Sequence, residues 1–413
     1  MRYDTIVIGG GLSGLTAGIA SARGGRRVAM LAKGQSRLNF FSGSFDLLGY
    51  TRQGDEVTEP LAAMSQLPDE HPYRRLQRTG ADLPALADAA RQLLSDAGLA
   101  FSGDAARNHY RMTPAGLFKP AWLTLDGFAR VDDPEHLPWK HVTLLNIKGF
   151  LDYPVDFIAG HLTSRGVTCK VREITLPQLE RRRTPAEMRS TAIATVLSGR
   201  GTMAALAGEI NSATSRRSDV IMMPAVIGLE TKKAVAELQR MVNKPLLLVA
   251  TLPPSVAGQR VHTLLRKKFI SLGGTFILGS TVKSGTIENG HVTGLTAKNL
   301  PDQIITADEY ILAAGSLNSG GVVAAYDRVY EPIFGLDVDA PQRRQEWNEP
   351  SITDWQPYME FGVRTTDNLH ALLNGQPVDN LRCIGSILSH NNAVKHANAE
   401  GVALLTALHA TAH

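Results

Sequence analysis

The stretch that decides the fold is YDTIVIGGGLSGLTAGIASARGGRRVAMLAKG, residues 3–34. A short apolar run from Tyr3 to Ile8 predicts a strand, and it leads directly into a glycine-rich turn. The residues after the turn predict a helix to about Arg23, and a second apolar run at 27–31 predicts another strand. This order predicts the first βαβ unit of a Rossmann-like domain.

The glycines of the turn have the spacing of a nucleotide-phosphate cradle. Gly9 permits a tight turn, Gly11 lets the backbone approach a phosphate, and Gly14 lets the helix pack closely on the strand. The free N–H groups and the positive dipole end of the helix then face the anion. Because the motif follows a strand and opens a helix, it predicts a nucleotide or flavin site rather than a turn that only packs two elements.

The usual partner of an adenosine ribose is missing from this unit. A carboxylate normally ends the second strand and accepts hydrogen bonds from the ribose hydroxyls. Ala32 stands at the expected position, Lys33 follows it, and no Asp or Glu lies between Gly14 and Gly43. We therefore expect an adenosine group to be held less firmly than is usual.

The composition is that of an ordinary globular protein. Apolar residues make up 43% of the 413 residues, charged residues make up 20%, and the net charge is +4. The two cysteines, Cys169 and Cys383, form no CxxC pair, which favours a reducing cytoplasm and predicts no metal or iron–sulfur site. No apolar run approaches the roughly 20 residues of a bilayer span. The first strand begins too early to leave room for a cleavable signal.

The order of elements predicts a discontinuous domain with an insertion. Residues 1–54, 255–330 and 381–413 are expected to form one nucleotide-binding domain. Residues 55–254 carry α/β signals of their own and are expected to form an inserted substrate or partner domain. Residues 331–380 are expected to be an irregular cap. A chain of this length is also expected to form about two domains.

Further motifs recur together in one group of flavoproteins. They are YDTIVIGGGLSGL (3–15), KGQS (33–36), FFSGSFDLL (40–48), HPY (71–73), IMMPAVIGL (221–229), TLPPSVAGQR (251–260), LAAGSLNSGG (312–321), EPIFGLDV (331–338) and IGS (384–386). On these segments the chain resembles the flavoprotein family of anaerobic glycerol-3-phosphate dehydrogenase B subunits over nearly its whole length. The resemblance implies an α/β fold: a Rossmann-like, glutathione-reductase-type flavin-binding domain with an inserted second α/β domain.

The resemblance also implies a function. A protein of this family converts sn-glycerol 3-phosphate to dihydroxyacetone phosphate during anaerobic glycerol catabolism. It works in a complex with a catalytic A subunit and a membrane-associated, iron–sulfur C subunit, and the complex passes electrons to the quinone pool and on to fumarate or nitrate. The implied cofactor is FMN, with FAD as the alternative. The implied location is the cytoplasm, peripherally at the inner membrane through a partner subunit.

The candidate cofactor-binding residues stand at strand ends and on loops of small residues. They are Gly9, Gly11, Gly14, Ser42, Gly43, Ser44, Gly315, Ser316, Gly385 and Ser386. The last four follow strands whose carboxyl ends are where ligands of open α/β sheets bind. No catalytic residue is identifiable. His390 and His396 are nearest to the expected flavin ring, and Arg260 could bind phosphate. An ordinary polar or surface role is the alternative for each of these three.

Two other functions stay open. A helix is predicted over 393–411, and the superfamily usually opens this helix with a glycine-rich turn. Here the stretch HNNAVKHANAEG (390–401) has one glycine. Loss of the flavin site there would leave a subunit with a structural or regulatory role. A flavin-dependent, nucleic-acid-modifying protein shares the N-terminal motif, but the weak positive charge without basic–aromatic patches predicts no nucleic-acid partner.

Overall fold

The computed structural model describes residues 2–34, 36–180, 188–199, 201–229 and 233–412. The chain folds as two compact units. The first unit contains Met1–Arg37, Asp46–Gly98 and Leu265–His413, and the second contains Leu38–Phe45 and Leu99–Leu264.

The strands in chain order are β1 (Arg2–Ile8), β2 (Val28–Ala32), β3 (Ser44–Phe45), β4 (Phe101–Ser102), β5 (His109–Met112), β6 (Phe118–Ala121), β7 (Leu123–Leu125), β8 (Arg130–Val131), β9 (His141–Ile147), β10 (Thr168–Ile174), β11 (Val220–Pro224), β12 (Leu246–Val249), β13 (Thr275–Leu278), β14 (Val282–Glu288), β15 (His291–Ala297), β16 (Leu300–Leu312), β17 (Val323–Ala324), β18 (Val329–Tyr330), β19 (Val338–Asp339), β20 (Gly362–Val363), β21 (His370–Leu373) and β22 (Gln376–Cys383).

The helices in chain order are α1 (Leu12–Arg23), α2 (Pro60–Ala63), α3 (Pro72–Arg78), α4 (Leu83–Asp96), α5 (Val155–Ser164), α6 (Pro177–Glu180), α7 (Ser190–Leu197), α8 (Thr202–Ala213), α9 (Lys233–Met241), α10 (Val256–Ser271), α11 (Ala393–His396) and α12 (Ala399–Ala410).

The first unit is built on a sheet with β1 at its centre. Its parallel part has the order β13-β2-β1-β16-β22. Thr5 in β1 is in register with Val28 of β2 on one side and with Glu309 of β16 on the other. β2 is buried along its whole length, as expected of a strand covered on both faces. This sheet confirms the predicted Rossmann-like flavoprotein domain.

An antiparallel meander extends the same sheet. β14 pairs with β15, and β15 pairs with the first half of β16. The connection between β14 and β15 is an Asn-Gly hairpin, with φ of +50° at Asn289 and +76° at Gly290, as a type I′ turn requires.

Residues 55–98 lie in the first unit, although the sequence predicts that they belong to the insertion. The reason is the C-terminal helix α12, which packs against α1, α3 and α4. α12 is buried on nearly every face, so it needs helices on more than one side to cover its apolar surface. The amphipathic α4, with its buried Leu83, Ala87 and Leu94, supplies one of them.

The second unit confirms that the chain carries a second α/β fold. Its main sheet is parallel, with the order β10-β9-β11-β12. Two small antiparallel sheets accompany it, β3-β7-β4 and β6-β5-β8. Residues 38–45 belong here because β3 pairs with β7, so the predicted boundary at residue 54 falls too late.

Two details of the C-terminal region differ from expectation. The predicted helix over 393–411 is broken between α11 and α12 by Ala397, whose φ is +47°. The predicted irregular cap contains a hairpin of β21 and β22, which turns at Asn374 and Gly375. Asn-Gly is the usual signal for such a turn, so the hairpin is visible in the sequence.

Among the residues that the structure describes, no helix is both long enough and apolar enough to cross a bilayer.

Gly401 and Gly208 provide a matched pair for testing how the helices pack. A Cβ on Gly401 in α12 would lie 2.2 Å from the Tyr73 hydroxyl and 2.8 Å from a Leu47 methyl, whereas a Cβ on Gly208 in α8 meets nothing within 4 Å. Gly401→Ala is expected to lower the free energy of unfolding by about 1–3 kcal/mol through overpacking. Gly208→Ala is expected to raise it by about 0.5–1 kcal/mol. Chemical denaturation of both variants measures this, and equal stabilities would contradict the packing described.

Candidate functional site

The turn after β1 and the first turn of α1 are too tight for side chains at Gly9 and Gly14. Gly9 has a φ of +123°, and a Cβ there would lie 2.2 Å from the carbonyl oxygen of Ala313. A Cβ on Gly14 would lie 1.9 Å from the carbonyl oxygen of Gly9. Both glycines are therefore required by the close approach of α1, β1 and the end of β16, whether or not a ligand binds.

Gly11 differs from its neighbours. Its φ is −82°, which any residue can adopt, and a Cβ there would meet no protein atom within 4 Å. Gly11 precedes α1, and no side chain caps that helix end. The first N–H groups of a helix lack partners in its own ladder and attract anions. Packing among the described residues does not explain the glycine at position 11, and its contact with a phosphate stays a prediction.

Two other strands bring their predicted residues to the same end of the sheet. Gly315 follows β16 with a φ of +88°, and a Cβ there would lie 2.2 Å from Ser319 Oγ and 3.9 Å from Ser386 Oγ. Gly385 follows β22, and a Cβ there would lie 2.6 Å from Ser13 Oγ in α1. The order in which strands are added to the sheet reverses between β1 and β16, and ligands of open α/β sheets bind at such a point. These distances bring Gly9, Gly14, Gly315, Gly385 and Ser386 together at one end of the sheet, where the ligand crevice of an open α/β sheet lies.

Arg37 is a residue of this crevice that the sequence analysis missed. Its Nη1 donates a hydrogen bond of 3.0 Å to Ser316 Oγ, and its side chain is exposed. It adds a positive charge beside the phosphate cradle. Only a contact across 279 positions reveals it, and no local pattern marks it in the sequence.

Ser42, Gly43 and Ser44 lie in the second unit. The Ser44 hydroxyl is 2.8 Å from Thr124 Oγ1 and is buried. A Cβ on Gly43 would meet the Phe128 ring at 2.5 Å, so the glycine there has a packing reason. Ser42 is half-buried. Cofactor contact by these three residues stays a prediction.

The two candidate histidines have different surroundings. His390 is half-exposed, has a φ of +61°, and places Nε2 3.1 Å from Asp339 Oδ2. Burial disfavours the charged form of Asp339, but hydrogen bonds from His390 and Ser389 outweigh it and lower the pKa of this carboxyl. A carboxylate only accepts, so Nε2 carries the proton and Nδ1 has the free lone pair. His396 is buried against Trp355, with ring centroids 5.0 Å apart, so it has a packing role.

A buried polar cluster replaces the glycine-rich turn expected after β22. His71 is fully buried, with Nε2 3.2 Å from Asn391 Oδ1 and 3.1 Å from Asn398 Nδ2. Its Nδ1 accepts the N–H of Tyr73 and caps α3. Burial, and next the neighbouring His396, lower the pKa of His71 to about 3. The HPY motif is thus a buried neutral histidine that ties α3 to the C-terminal segment.

The residues at the start of α1 fit a flavin phosphate. The residues after β2 and β22 fit the rest of a flavin nucleotide less well. Gly11 leaves room for the phosphate, and the N-terminus of α1 offers N–H donors. At the end of β2, Ala32 is buried and offers no carboxylate to a ribose. At the end of β22, side chains take the place of glycines. Within the described ranges, no group of three or more His, Cys, Asp or Glu side chains is arranged to hold a metal ion.

The second unit has an open cleft of about 570 Å³ beside α5. It is lined by Ala115, Leu117, Asp156, Phe157, Gly160, His161 and Ser164. None of the predicted site residues lines it, and it adds nothing to the crevice of the first unit. Arg260, also in this unit, is 3% exposed, so its alternative role as a surface arginine is wrong.

Comparison with known proteins agrees with this description. The FAD binding domain family matches residues 4–402. Two proteins named as B subunits of anaerobic glycerol-3-phosphate dehydrogenase, from Yersinia pestis and Yersinia enterocolitica, are 37% and 38% identical over 412 residues, 99% of this chain and 97% of each relative. A 3-ketosteroid-delta4-(5alpha)-dehydrogenase structure from Rhodococcus jostii is similar with a TM-score of 0.43 and 10% identity, covering 99% of this chain and 96% of that one.

The fold and the family match define a flavoprotein of the FAD binding domain class. Flavoproteins of this class are oxidoreductases. Within the class, the chain belongs to the family of anaerobic glycerol-3-phosphate dehydrogenase B subunits.

The buried neutral His71 predicts a loss of stability in mild acid. In the unfolded chain a histidine titrates near pH 6.5, whereas the pKa of His71 in the fold is about 3. Below about pH 6.5 the unfolded chain therefore binds a proton that the folded chain does not, and this lowers the free energy of unfolding until about pH 3. By pH 5 the loss is about 2 kcal/mol.

The variant His71→Asn tests this, because asparagine also caps a helix N-terminus. Between pH 7 and pH 5, its free energy of unfolding should fall less than that of the wild type. His141→Asn, at the start of β9, controls for the loss of one histidine. Equal pH slopes for the wild type and His71→Asn would contradict the assignment.

Proposed function

We propose that this chain is the flavin-binding subunit of a quinone-dependent dehydrogenase that oxidises sn-glycerol 3-phosphate to dihydroxyacetone phosphate in anaerobic glycerol catabolism. The observation that carries the flavin site is the open Gly11 at the start of α1, between two glycines that packing requires. The substrate comes from the name of the relatives, which are 37–38% identical over nearly the full chain. Electrons leave through partner subunits for the quinone pool, with fumarate or nitrate as terminal acceptor.

The second part of the proposal concerns which flavin is bound. The match to an FAD binding domain supports FAD, and the turn of Gly9, Gly11 and Gly14 has the form that binds a pyrophosphate. FMN is the alternative, because β2 ends in Ala32 without the carboxylate that an adenosine ribose uses. We place the phosphates at the N-terminus of α1 and Arg37 beside them. Gly315, Ser316, Gly385 and Ser386 complete the proposed set in the first unit, and Ser42, Gly43 and Ser44 remain candidates within the second unit.

The chain's own residues supply a route for one proton. A bound flavin would accept the hydride when a secondary alcohol is oxidised. The alcohol proton needs a base, and we assign it to Nδ1 of His390. Asp339 holds the opposite nitrogen at 3.1 Å and keeps the imidazole oriented. The Ser389 hydroxyl donates to the same carboxylate oxygen at 2.7 Å and fixes it in turn.

The partners and location follow from the relatives' name. A protein named as one subunit of a dehydrogenase works with other subunits, and we propose a catalytic A subunit and a membrane-associated, iron–sulfur C subunit. Free Cys169 and Cys383, which are not paired with each other, are consistent with a reducing compartment. We propose a cytoplasmic protein held at the inner membrane by a partner.

A non-catalytic role in the complex is the second candidate, and one observation favours it. The segment that would face the flavin ring is filled by buried polar side chains, with Asn391 and Asn398 bonded to His71 and Asn392 buried nearby in the sequence. In that case the phosphate crevice would be an inherited shape, and the chain would position or regulate the other subunits.

Identification of the chromophore separates the two candidates. The full chain is purified alone and with its partner subunits, the protein is denatured by heat, and the released chromophore is identified by chromatography. Stoichiometric FAD or FMN supports the flavoprotein role. A colourless protein that takes up neither flavin, even in the complex, contradicts it and leaves the structural role.

Gly11→Ala tests the phosphate cradle without disturbing the fold. The new methyl group meets no protein atom, so the melting temperature of the flavin-free chain should stay unchanged. It occupies the space of the phosphate, so flavin affinity should fall by about tenfold or more, which corresponds to about 1.4 kcal/mol. Gly208→Ala is the control, and flavin fluorescence titration is the measurement. Unchanged affinity would place the phosphate elsewhere.

His390→Gln tests the assigned base in the assembled complex. Loss of a general base is expected to lower kcat on the order of 100-fold or more while flavin content stays the same. Asp339→Asn should lower kcat less and shift its pH profile, because the histidine stays but loses its orienting carboxylate. A variant His390→Gln with wild-type kcat would show that another group takes the proton.

A further inference from the structure

Two sequence motifs that the proposed flavin site does not use lie at the carboxyl end of the second unit's parallel sheet. β11 and β12 are neighbours, with Ile221 in register with Leu246. IMMPAVIGL runs through β11 into the loop at 225–229, and TLPPSVAGQR follows β12 and opens α10. Ligands of open parallel sheets bind at this end of the strands.

Arg260, the last residue of TLPPSVAGQR, is buried here without a counter-charge. Its side chain is 3% exposed, and its Nη1 donates a hydrogen bond of 3.1 Å to the carbonyl oxygen of Gly228. No carboxylate of the described residues forms an ion pair with it. Burial lowers its pKa to about 10. A guanidinium has five N–H donors, and among the described residues the bond to Gly228 is the one hydrogen bond that Arg260 makes with its side chain.

A buried, unpaired charge is costly, and proteins normally compensate it. A neutral residue of similar size would fill the same space with a smaller desolvation penalty. Within the described residues no carboxylate balances the charge at position 260, and guanidinium groups suit phosphate because their fork matches its oxygens.

The start of α10 is a second, independent donor set at the same place. Ser255 satisfies two of its first N–H groups: Oγ accepts from Gly258 at 3.0 Å and the carbonyl oxygen accepts from Gln259 at 3.1 Å. The N–H groups of Val256 and Ala257 have no acceptor within the described part of the chain, although both residues are buried. This end of a 16-residue helix also carries a positive dipole.

The two donor sets lie on one face of α10. Arg260 stands one turn after Val256, and helical side chains lean toward the N-terminus of their helix. The bond to Gly228 also places the guanidinium at the end of β11. The guanidinium and the first-turn N–H groups can therefore serve a single ligand.

We propose that this end of the sheet is a binding site for a phosphate monoester dianion, held by Arg260 and by the N–H groups of Val256 and Ala257. The choice of a small phosphate monoester, and of sn-glycerol 3-phosphate as the one to test, rests on the proposed function. The anion site itself rests only on the buried guanidinium and the helix start.

Calorimetric titration of the full chain tests the site. The wild type should bind sn-glycerol 3-phosphate saturably and inorganic phosphate more weakly, and it should not bind glycerol. Arg260→Gln should weaken binding of the phosphate monoester by about 10- to 100-fold, because hydrogen bonds to charged groups are lost. Arg260→Lys should weaken it less. Lys267→Gln removes an exposed cation from the same helix and should leave binding unchanged. Equal affinity of Arg260→Gln and the wild type overturns the proposal.

Hydrogen exchange on the wild type covers the case in which Arg260→Gln fails to fold. Saturating sn-glycerol 3-phosphate should slow exchange in 225–229 and at the start of α10, and glycerol should not. Binding without protection there overturns the site. Flavin content measured on the same samples keeps the two proposals distinct. If the chain contains no flavin but still binds the monoester through Arg260, the proposed function is contradicted and the anion site is supported. If the chain contains flavin but binds no monoester, the anion site is contradicted and the flavoprotein role is supported.

Discussion

The first unit depends on how closely α1 approaches the end of β1. A side chain on Gly14 would overlap the carbonyl oxygen of Gly9, and one on Gly9 would overlap the carbonyl oxygen of Ala313. These two contacts let the helix begin with only three residues between it and the strand, and they let β16 lie directly beside β1. The crevice at the carboxyl end of the sheet exists because this packing is so tight. Gly11, which the packing does not need, stands at its opening.

Contacts within the chain account for some of the candidate residues and leave others unexplained. Gly43, Gly385 and His71 have packing or capping partners that account for them. Gly11 and Arg260 do not: one leaves space that the protein does not fill, and the other is a buried charge that no described carboxylate pairs with. Both stand at helix starts beside the carboxyl ends of parallel strands, where backbone donors are available to anions.

The sequence predicts local elements well, because their signals lie within a few residues of each other. His141–Ile147 and Val155–Ser164 have such patterns and form a strand and a helix with those bounds. Residues 55–98 are assigned to the wrong unit because their partner, α12, lies some 300 positions away along the chain. The cradle glycines are likewise local, whereas Arg37 and the pair of His390 and Asp339 depend on distant contacts. Sequence spacing alone could not group them.

The central strand pairing has a consequence for how the chain is made. Thr5 of β1 lies beside Glu309 of β16, so β1 lacks this neighbour until about three hundred residues have left the ribosome. The last strand of the second unit's parallel sheet, β12, ends at Val249, so this sheet is synthesised well before β16. During synthesis the second unit can therefore complete its sheet first. Until β16 has been made, β1 and β2 remain an exposed pair of strands. Nascent chains halted between these points should need protection from aggregation most.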